Sequence, residues 1–123
     1  MKTALDLNRQ AWRAYQPCRA IDEAQTATRW EHAWHLARRA AALLRTRFGA
    51  RRVVAFGSIT RRDWFTPWSD VYLAVWGIAP DHFFRAVAAA AELGGDFGIH
   101  VLDGEDCSPD LQRVIAKEGI ACE

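Results

Sequence analysis

A glycine–serine pair, Gly57-Ser58, precedes a lone aspartate, Asp70, with eleven residues between them. Each half adjoins a β-rich run, 52–56 before the pair and 70–76 from the aspartate onward. Glycine lets the backbone approach a phosphate closely, and a serine hydroxyl and nearby N–H groups can donate hydrogen bonds to its oxygens. A carboxylate is the ligand type that Mg²⁺ prefers. The spacing therefore indicates chemistry on a phosphate group.

The neighbours of Asp70 on the same strand face do not suit that metal. Alternation places Tyr72 on the face of Asp70 in the run 70–76, and it places His100 on one face with Gly98 and Leu102 in the run 97–102. A neutral phenol is not a Mg²⁺ ligand, and imidazole suits softer metals such as zinc. One carboxylate cannot hold two Mg²⁺ ions, so we expect weak metal binding through Asp70 alone.

Alternation and helical periodicity in the sequence predict the strands and helices that position these residues. We expect strands at 52–56, 70–76 and 97–102, with helices at 28–48, 80–93 and 108–118. Thr28 and Glu31 are spaced as a capping box, which predicts the start of the first of these helices, and Gly49 predicts its end.

An N-terminal helical appendage, residues 1–24, is predicted to precede one domain over residues 25–123. Its short helix, 5–15, stops before Pro17. The order α-α-β-β-α-β-α predicts an α/β (α+β) fold, with helices packed on a small mixed sheet.

The stretch from Phe56 to Val75 resembles the signature of the nucleotidyltransferase superfamily. In that family a Gly-Ser pair is followed after about ten residues by Asp-x-Asp, and a third acid lies on a later strand. Trp68-Ser-Asp, the Leu-Ala-Val that follows, the helix order and the closing Ile-x-x-Glu-Gly strengthen the likeness. The resemblance covers about 30–123, and it is greatest to the minimal nucleotidyltransferases of bacteria, some of which act as antitoxins beside HEPN toxins.

The resemblance implies roles for individual residues. Asp70 matches the first catalytic acid and metal ligand, whereas Tyr72 and His100 stand where the family has its second and third acids. Because the family's three acids converge on one small volume, we expect Tyr72 and His100 within side-chain reach, directly or through one water, with Asp70 close by. A phenol and an imidazole can share a hydrogen bond there. It implies ATP or another NTP as ligand and Mg²⁺ as cofactor. The residues expected to bind the nucleotide are Gly57, Ser58, Arg61 and Arg62.

Three functions follow from these residues. The first is a catalytically impaired nucleotidyltransferase-fold protein that binds a nucleotide or a partner, such as a helical HEPN toxin, in an antitoxin-like role. The second is an active transferase that passes a nucleotide from an NTP to a protein or small-molecule hydroxyl, with His100 in an altered metal site. The third is a scaffold or oligomer module.

Composition bears on the partners and the cellular location of the protein. The net charge of +1 gives the whole chain no strong pull toward nucleic acid or membrane, although nucleic acid stays open as a partner and oligomerisation as an assembly. Three cysteines without a CxxC pair predict a reducing, cytoplasmic location, and no apolar run is long enough to span a membrane. Arginines crowd the middle third of the sequence, which favours a solvated helix face over an anion-binding rim.

Two further groups have a plainer interpretation than a functional one. His32 and His35 lie off the apolar stripe of their helix, which favours a solvated face over metal binding. The loop aromatics Trp64, Phe65 and Trp68 are expected to cover a sheet edge or meet a partner more readily than to stack on a nucleobase. Asp63 and Asp103 lack the alternation needed to aim them at Asp70, so neither is expected to replace a missing acid.

Overall fold

The computed structural model describes residues 23–122, and the predicted helix 5–15 lies outside them. The described part of the chain begins with a long helix, α1, and continues with strands and helices on a single sheet. The elements are α1 Glu23–Phe48, β1 Arg52–Phe56, β2 Val71–Trp76, α2 Pro80–Gly94, β3 Ile99–Asp103, α3 Pro109–Glu118 and β4 Ile120–Ala121. Two short 3-10 turns, Ser58–Thr60 and Arg62–Trp64, lie between β1 and β2.

The four strands form one mixed sheet in the order β3-β2-β1-β4. β1 is antiparallel to β2 and to β4, whereas β2 and β3 are parallel. A parallel pair needs a crossover connection, and α2 supplies it. The predicted α/β fold, a small mixed sheet flanked by helices, is confirmed.

Alternation along the strands divides the core into two layers. Val53 of β1, Leu73 of β2 and Val101 of β3 lie on the face covered by α1 and α2, in the larger cluster of buried side chains. The opposite face carries Val54 and Ala74, which pack against Ile115 of α3 in a smaller cluster. The site residues Tyr72 and His100 belong to this second face, because they alternate with Leu73 and Val101.

The long helix differs from its prediction at the N-terminal end. It includes Glu23 to Phe48, so Thr28 lies inside it and the predicted capping box at Thr28 and Glu31 is wrong. The Thr28 hydroxyl instead donates to the carbonyl of Ala24, 3.1 Å away. A threonine within a helix can bond the preceding turn in this way, so the same residue type that caps a helix also fits its interior.

Strand β4 has no counterpart in the sequence prediction. It is two residues long, and its pairing with Val54 and Ala55 of β1 joins distant parts of the chain. Arg45 of α1 fixes the neighbouring backbone by donating to the carbonyl of Cys122. Among residues 23–122, no helix combines the length and the apolar character needed to cross a membrane.

Candidate functional site

Strand register places three aromatic side chains in one row across the sheet. Phe56 of β1 is the pairing partner of Tyr72 of β2, and Tyr72 is the partner of His100 of β3. Partner residues on neighbouring strands project to the same face, so the three rings lie side by side. The row stands at the end of the sheet where β1 runs into Gly57-Ser58 and β2 begins after Asp70.

Tyr72 and His100 make direct contact, as the matching of both to the missing acids predicts. Their rings stack with centroids 4.7 Å apart and planes 19° apart. Phe56 meets the tyrosine ring at 5.8 Å with a tilt of 47°. The contact is a ring stack rather than the hydrogen bond expected between a phenol and an imidazole.

The imidazole directs its hydrogen bond to Asp70 instead. Nε2 of His100 lies 2.9 Å from Oδ2 of Asp70. An ionised carboxylate only accepts, so the ring nitrogen is the donor. The two side chains are 47% and 40% exposed, which leaves the pair open to solvent and to ligands. Asp70, Tyr72 and His100 are referred to below as the Asp70 cluster.

A glycine directly before the adjacent strand β3 makes room for this carboxylate. A Cβ at Gly98 would lie 2.9 Å from the Asp70 carboxyl carbon, closer than side chains tolerate. The Gly98 carbonyl also accepts a hydrogen bond from the N–H of Val71 at 2.8 Å. Sequence reasoning placed Gly98 on the face of His100 but gave it no role. Glycine inside a strand often marks such a close approach.

The Gly57-Ser58 pair forms a tight turn at the end of β1. Gly57 has a φ of 86°, in the left-handed region that favours glycine. Its carbonyl accepts hydrogen bonds from the Thr60 backbone N–H at 3.1 Å and from the Thr60 hydroxyl at 2.7 Å. The Gly57 Cα faces the Tyr72 ring, which a Cβ there would touch at 3.6 Å. The turn therefore adjoins the Asp70 cluster.

The two arginines expected to bind phosphate follow this turn. Arg61 places its guanidinium 4.4 Å from the centre of the Trp64 ring and 3.8 Å from Glu118 at the end of α3. Arg62 begins the second 3-10 turn and is exposed. Both arginines therefore lie in the loop between β1 and β2, which follows the Gly57-Ser58 turn. Glu118, which the sequence analysis used only as part of a closing motif, is the acidic neighbour of Arg61.

The remaining candidates do not join the Asp70 cluster. Asp103 pairs with Val75 at the far end of β3 and accepts a hydrogen bond from the N–H of Glu105. Both helix histidines are exposed, and His32 packs on the ring of Phe97, 5.6 Å away. In the loop, Phe65 is buried in the core, whereas Trp68 is exposed, so the expectation that these aromatics fold back on the sheet is met by Phe65.

The donor set of the cluster does not fit a pair of Mg²⁺ ions. Asp70 offers one carboxylate, and one of its oxygens already accepts from His100. Mg²⁺ requires oxygen ligands in an octahedron, whereas Tyr72 and His100 supply a phenol and an imidazole. Within the described part of the chain, no three His, Cys, Asp or Glu side chains gather as a metal site.

The sequence matches no protein-family model and no curated protein. Solved structures do match it. One is a toxin–antitoxin complex, MntA–HpeT, in a double Asp-to-Glu variant: 16% identity, TM-score 0.57, covering 71% of this chain and 71% of that chain. Another is a toxin–antitoxin with AMP-PNP: 18% identity, TM-score 0.58, covering 70% of this chain and 72% of that one.

The chain shares its arrangement of helices and strands with these two structures, and it is the mixed α/β arrangement that the sequence predicts. At this level of identity the likeness concerns the arrangement of helices and strands, and the chemistry of the Asp70 cluster is argued from its own residues.

Proposed function

We propose that this protein is an antitoxin-like binding protein on a nucleotidyltransferase fold. In this proposal it takes a nucleoside triphosphate at residues 57–62 and a protein partner, and it does not carry out Mg²⁺-dependent nucleotidyl transfer. The proposal rests mainly on the hydrogen bond of 2.9 Å between the Asp70 carboxylate and His100, whose ring stacks on Tyr72.

Nucleotidyl transfer by two metals requires carboxylates that hold both ions against the attacking and leaving oxygens. In the Asp70 cluster, Asp70 is the acid, and Tyr72 and His100 hold the other two positions. A missing metal forfeits several kcal/mol of charge stabilisation, and each ~1.4 kcal/mol is tenfold in rate. The donor set therefore supports binding over catalysis.

Phosphate binding does not depend on those acids. Backbone N–H groups and guanidinium groups bind phosphate oxygens directly. The left-handed turn at Gly57, the hydroxyl of Ser58 and the exposed Arg61 and Arg62 supply both kinds of donor beside the cluster. One matched structure was solved with AMP-PNP, which supports a nucleotide as the ligand class.

The matched structures are toxin–antitoxin proteins, which supports a protein partner and the antitoxin side of the proposal. One of them carries glutamate in place of two aspartates that stand two positions apart. Asp70 and Tyr72 have that same spacing here. A helical HEPN-type toxin is the partner that the sequence resemblance implies, and co-purification with such a toxin encoded beside this protein would test it.

Catalysis is tested by incubating the protein with ATP and either Mg²⁺ or Mn²⁺, and by following its mass and that of a co-purified partner. We expect no nucleotide adduct with either ion. An adduct formed with Mn²⁺ would favour an active transferase with an altered metal site. Robust labelling with Mg²⁺ would overturn the proposal outright.

Nucleotide binding is tested by calorimetric titration with ATP in EDTA and in Mg²⁺. We expect binding of similar strength in both, and its loss in a Ser58→Ala, Arg61→Ala double variant. Arg113→Ala removes another exposed arginine, on α3, and serves as the control. Absence of heat at millimolar ATP would refute the nucleotide-binding part of the proposal.

A further inference from the structure

The outward side of α2 carries an apolar stripe among its charged residues, where a surface helix is normally polar. Phe84 is 85% exposed, and it is the most exposed of the large apolar side chains in residues 23–122. Ala88 and Ala91 follow it four and seven residues later and are exposed as well. These spacings place the three side chains in one stripe along the helix. The buried side of α2, with Ala86 and Ala90, already packs on the core.

A groove borders this stripe on the side of α1. Its volume is about 500 Å³. Two residues at the end of α1 and five residues of α2 line it: Arg47, Phe48, His82, Arg85, Ala88, Ala89 and Glu92. A knob, Phe84, and a cleft that an aromatic ring can enter therefore lie side by side on one surface.

Two opposite charges beside the stripe are placed symmetrically along α2 about Ala88 and Ala89. Arg85 and Glu92 are both exposed and lie seven residues apart, on either side of Ala88 and Ala89. In the described region neither side chain forms an ion pair. When a second α2 is laid antiparallel on the first, with its centre at Ala88 and Ala89, each arginine faces the glutamate of the other helix. At these two positions the surface is thus complementary to itself.

We propose that this face of α2 binds a second copy of the chain across a two-fold axis that passes near Ala88 and Ala89. Arg85 pairs with the partner's Glu92, and the partner's Arg85 pairs with Glu92. Phe84 enters the groove beside the partner's α2. A two-fold contact must present the same patch on both copies, so a patch that joins a knob, a cleft and reciprocal charges fits a copy of itself. The small side chains at the crossing let the two helices approach closely.

The contact is small, and this sets the strength of association. One helix and one groove per copy bury less than the ~800 Å² per partner of a standard stable interface. We therefore expect a dissociation constant on the order of 10–100 μM. The assembly is independent of the Asp70 cluster, which lies on the opposite face of the sheet.

Sedimentation equilibrium of the full chain between about 5 and 500 μM tests the proposal in the range that such an affinity requires. We expect the average mass to rise from 13.9 kDa toward twice that value. Arg85→Glu and Glu92→Arg should each weaken dimerisation at least tenfold. The double variant carrying both changes should dimerise again, and an equimolar mixture of the two single variants should form a heterodimer. Arg113→Glu reverses an exposed charge on α3 and should leave the dissociation constant of the dimer unchanged.

Several outcomes would overturn the proposal. They are a monomer at every concentration, single variants that dimerise normally, or a mixture that stays monomeric. A chain that is monomeric alone, and whose binding to a toxin partner is weakened by Phe84→Ser, would assign the face to that partner instead. Circular dichroism reports whether each variant folds. If a charge reversal unfolds the chain, Arg85→Gln and Glu92→Gln must each still weaken dimerisation.

Discussion

The two faces of the sheet are built differently, although the same strands supply both. Toward α1 and α2, Val53, Leu73 and Val75 are almost wholly buried beneath the two helices. On the other face the short α3 covers Val54 and Ala74, whereas Tyr72 remains 37% exposed. The covered face therefore provides most of the hydrophobic stabilisation. The open end of the other face leaves its side chains free to bind.

The sharpest test of this comparison is a pair of neighbouring truncations on β2. Leu73→Ala should cost about 2–5 kcal/mol, because it leaves a cavity in a closed core. Tyr72→Ala should cost less than half as much, since it loses a ring stack worth about 0.5–1.5 kcal/mol and little burial. Urea denaturation measures both free energies of unfolding. Equal costs would mean that the two faces contribute alike.

Restoring the acids should make the open end depend on metal. Tyr72→Asp with His100→Asp places three carboxylates together, so repulsion should lower the melting temperature in EDTA. Mg²⁺ at 100 times its dissociation constant should then restore about 2.7 kcal/mol. A Tyr72→Asn, His100→Asn variant controls for the loss of the stacked rings and should not respond to Mg²⁺. Identical melts of the acid variant in EDTA and Mg²⁺ would show that the three positions do not share a metal.

Gly98 is predicted to be required only because Asp70 is beside it. Gly98→Ala forces a Cβ to within 2.9 Å of the carboxyl carbon, and overpacking of this kind costs about 1–3 kcal/mol. The same change in an Asp70→Ala background should cost clearly less, and a double-mutant cycle of unfolding free energies gives the coupling. If the costs of Gly98→Ala and Asp70→Ala simply add, a contact other than the Asp70 carboxylate requires the glycine.

The smallest predicted effect concerns the thiol of Cys122, which is buried with the covered face. Burial raises the pKa of this thiol, and it outweighs the opposing backbone hydrogen bond from Ala55 and the positive charge of Arg45. The folded pKa exceeds the unfolded value of about 8.5, so the contribution to stability is complete below that pH and is lost as the pH rises toward the folded pKa.

Chemical unfolding between pH 7.5 and 10 should therefore show a small decline in stability, which Cys122→Ala removes. Cys107→Ala, which alters a cysteine outside that core, should keep the decline and serves as the control. A Cys122→Ala protein with an unchanged slope would assign the decline to other groups.

Local patterns in the sequence predict most of the elements. Val71, Leu73 and Val75 alternate clearly enough to separate the two faces of β2, and Pro80 and Pro109 mark helix starts that the structure confirms. Strand β4 escapes prediction because two residues carry no periodic signal. Its pairing with β1 depends on a contact with a distant part of the chain.

The candidate site divides in the same way. Strand alternation and the matching to the missing acids predict that Tyr72 and His100 meet, and this is confirmed. The stacking of the rings and the bond from His100 to Asp70 depend on side-chain rotamers, which spacing alone does not determine. The ion pair between Arg61 and Glu118 joins a loop to a helix that is distant in sequence, so no local sequence pattern predicts it.

Within residues 23–122 the sheet has two unequal edges, a two-residue β4 and a five-residue β3. An unpaired strand edge can recruit other chains into aggregates, and charged or polar side chains on it oppose this. His100 interrupts the apolar residues Ile99, Val101 and Leu102, and Asp103 closes the strand. The His100 imidazole thus also protects the longer edge, so we expect an apolar residue at position 100 to lower the solubility of the protein.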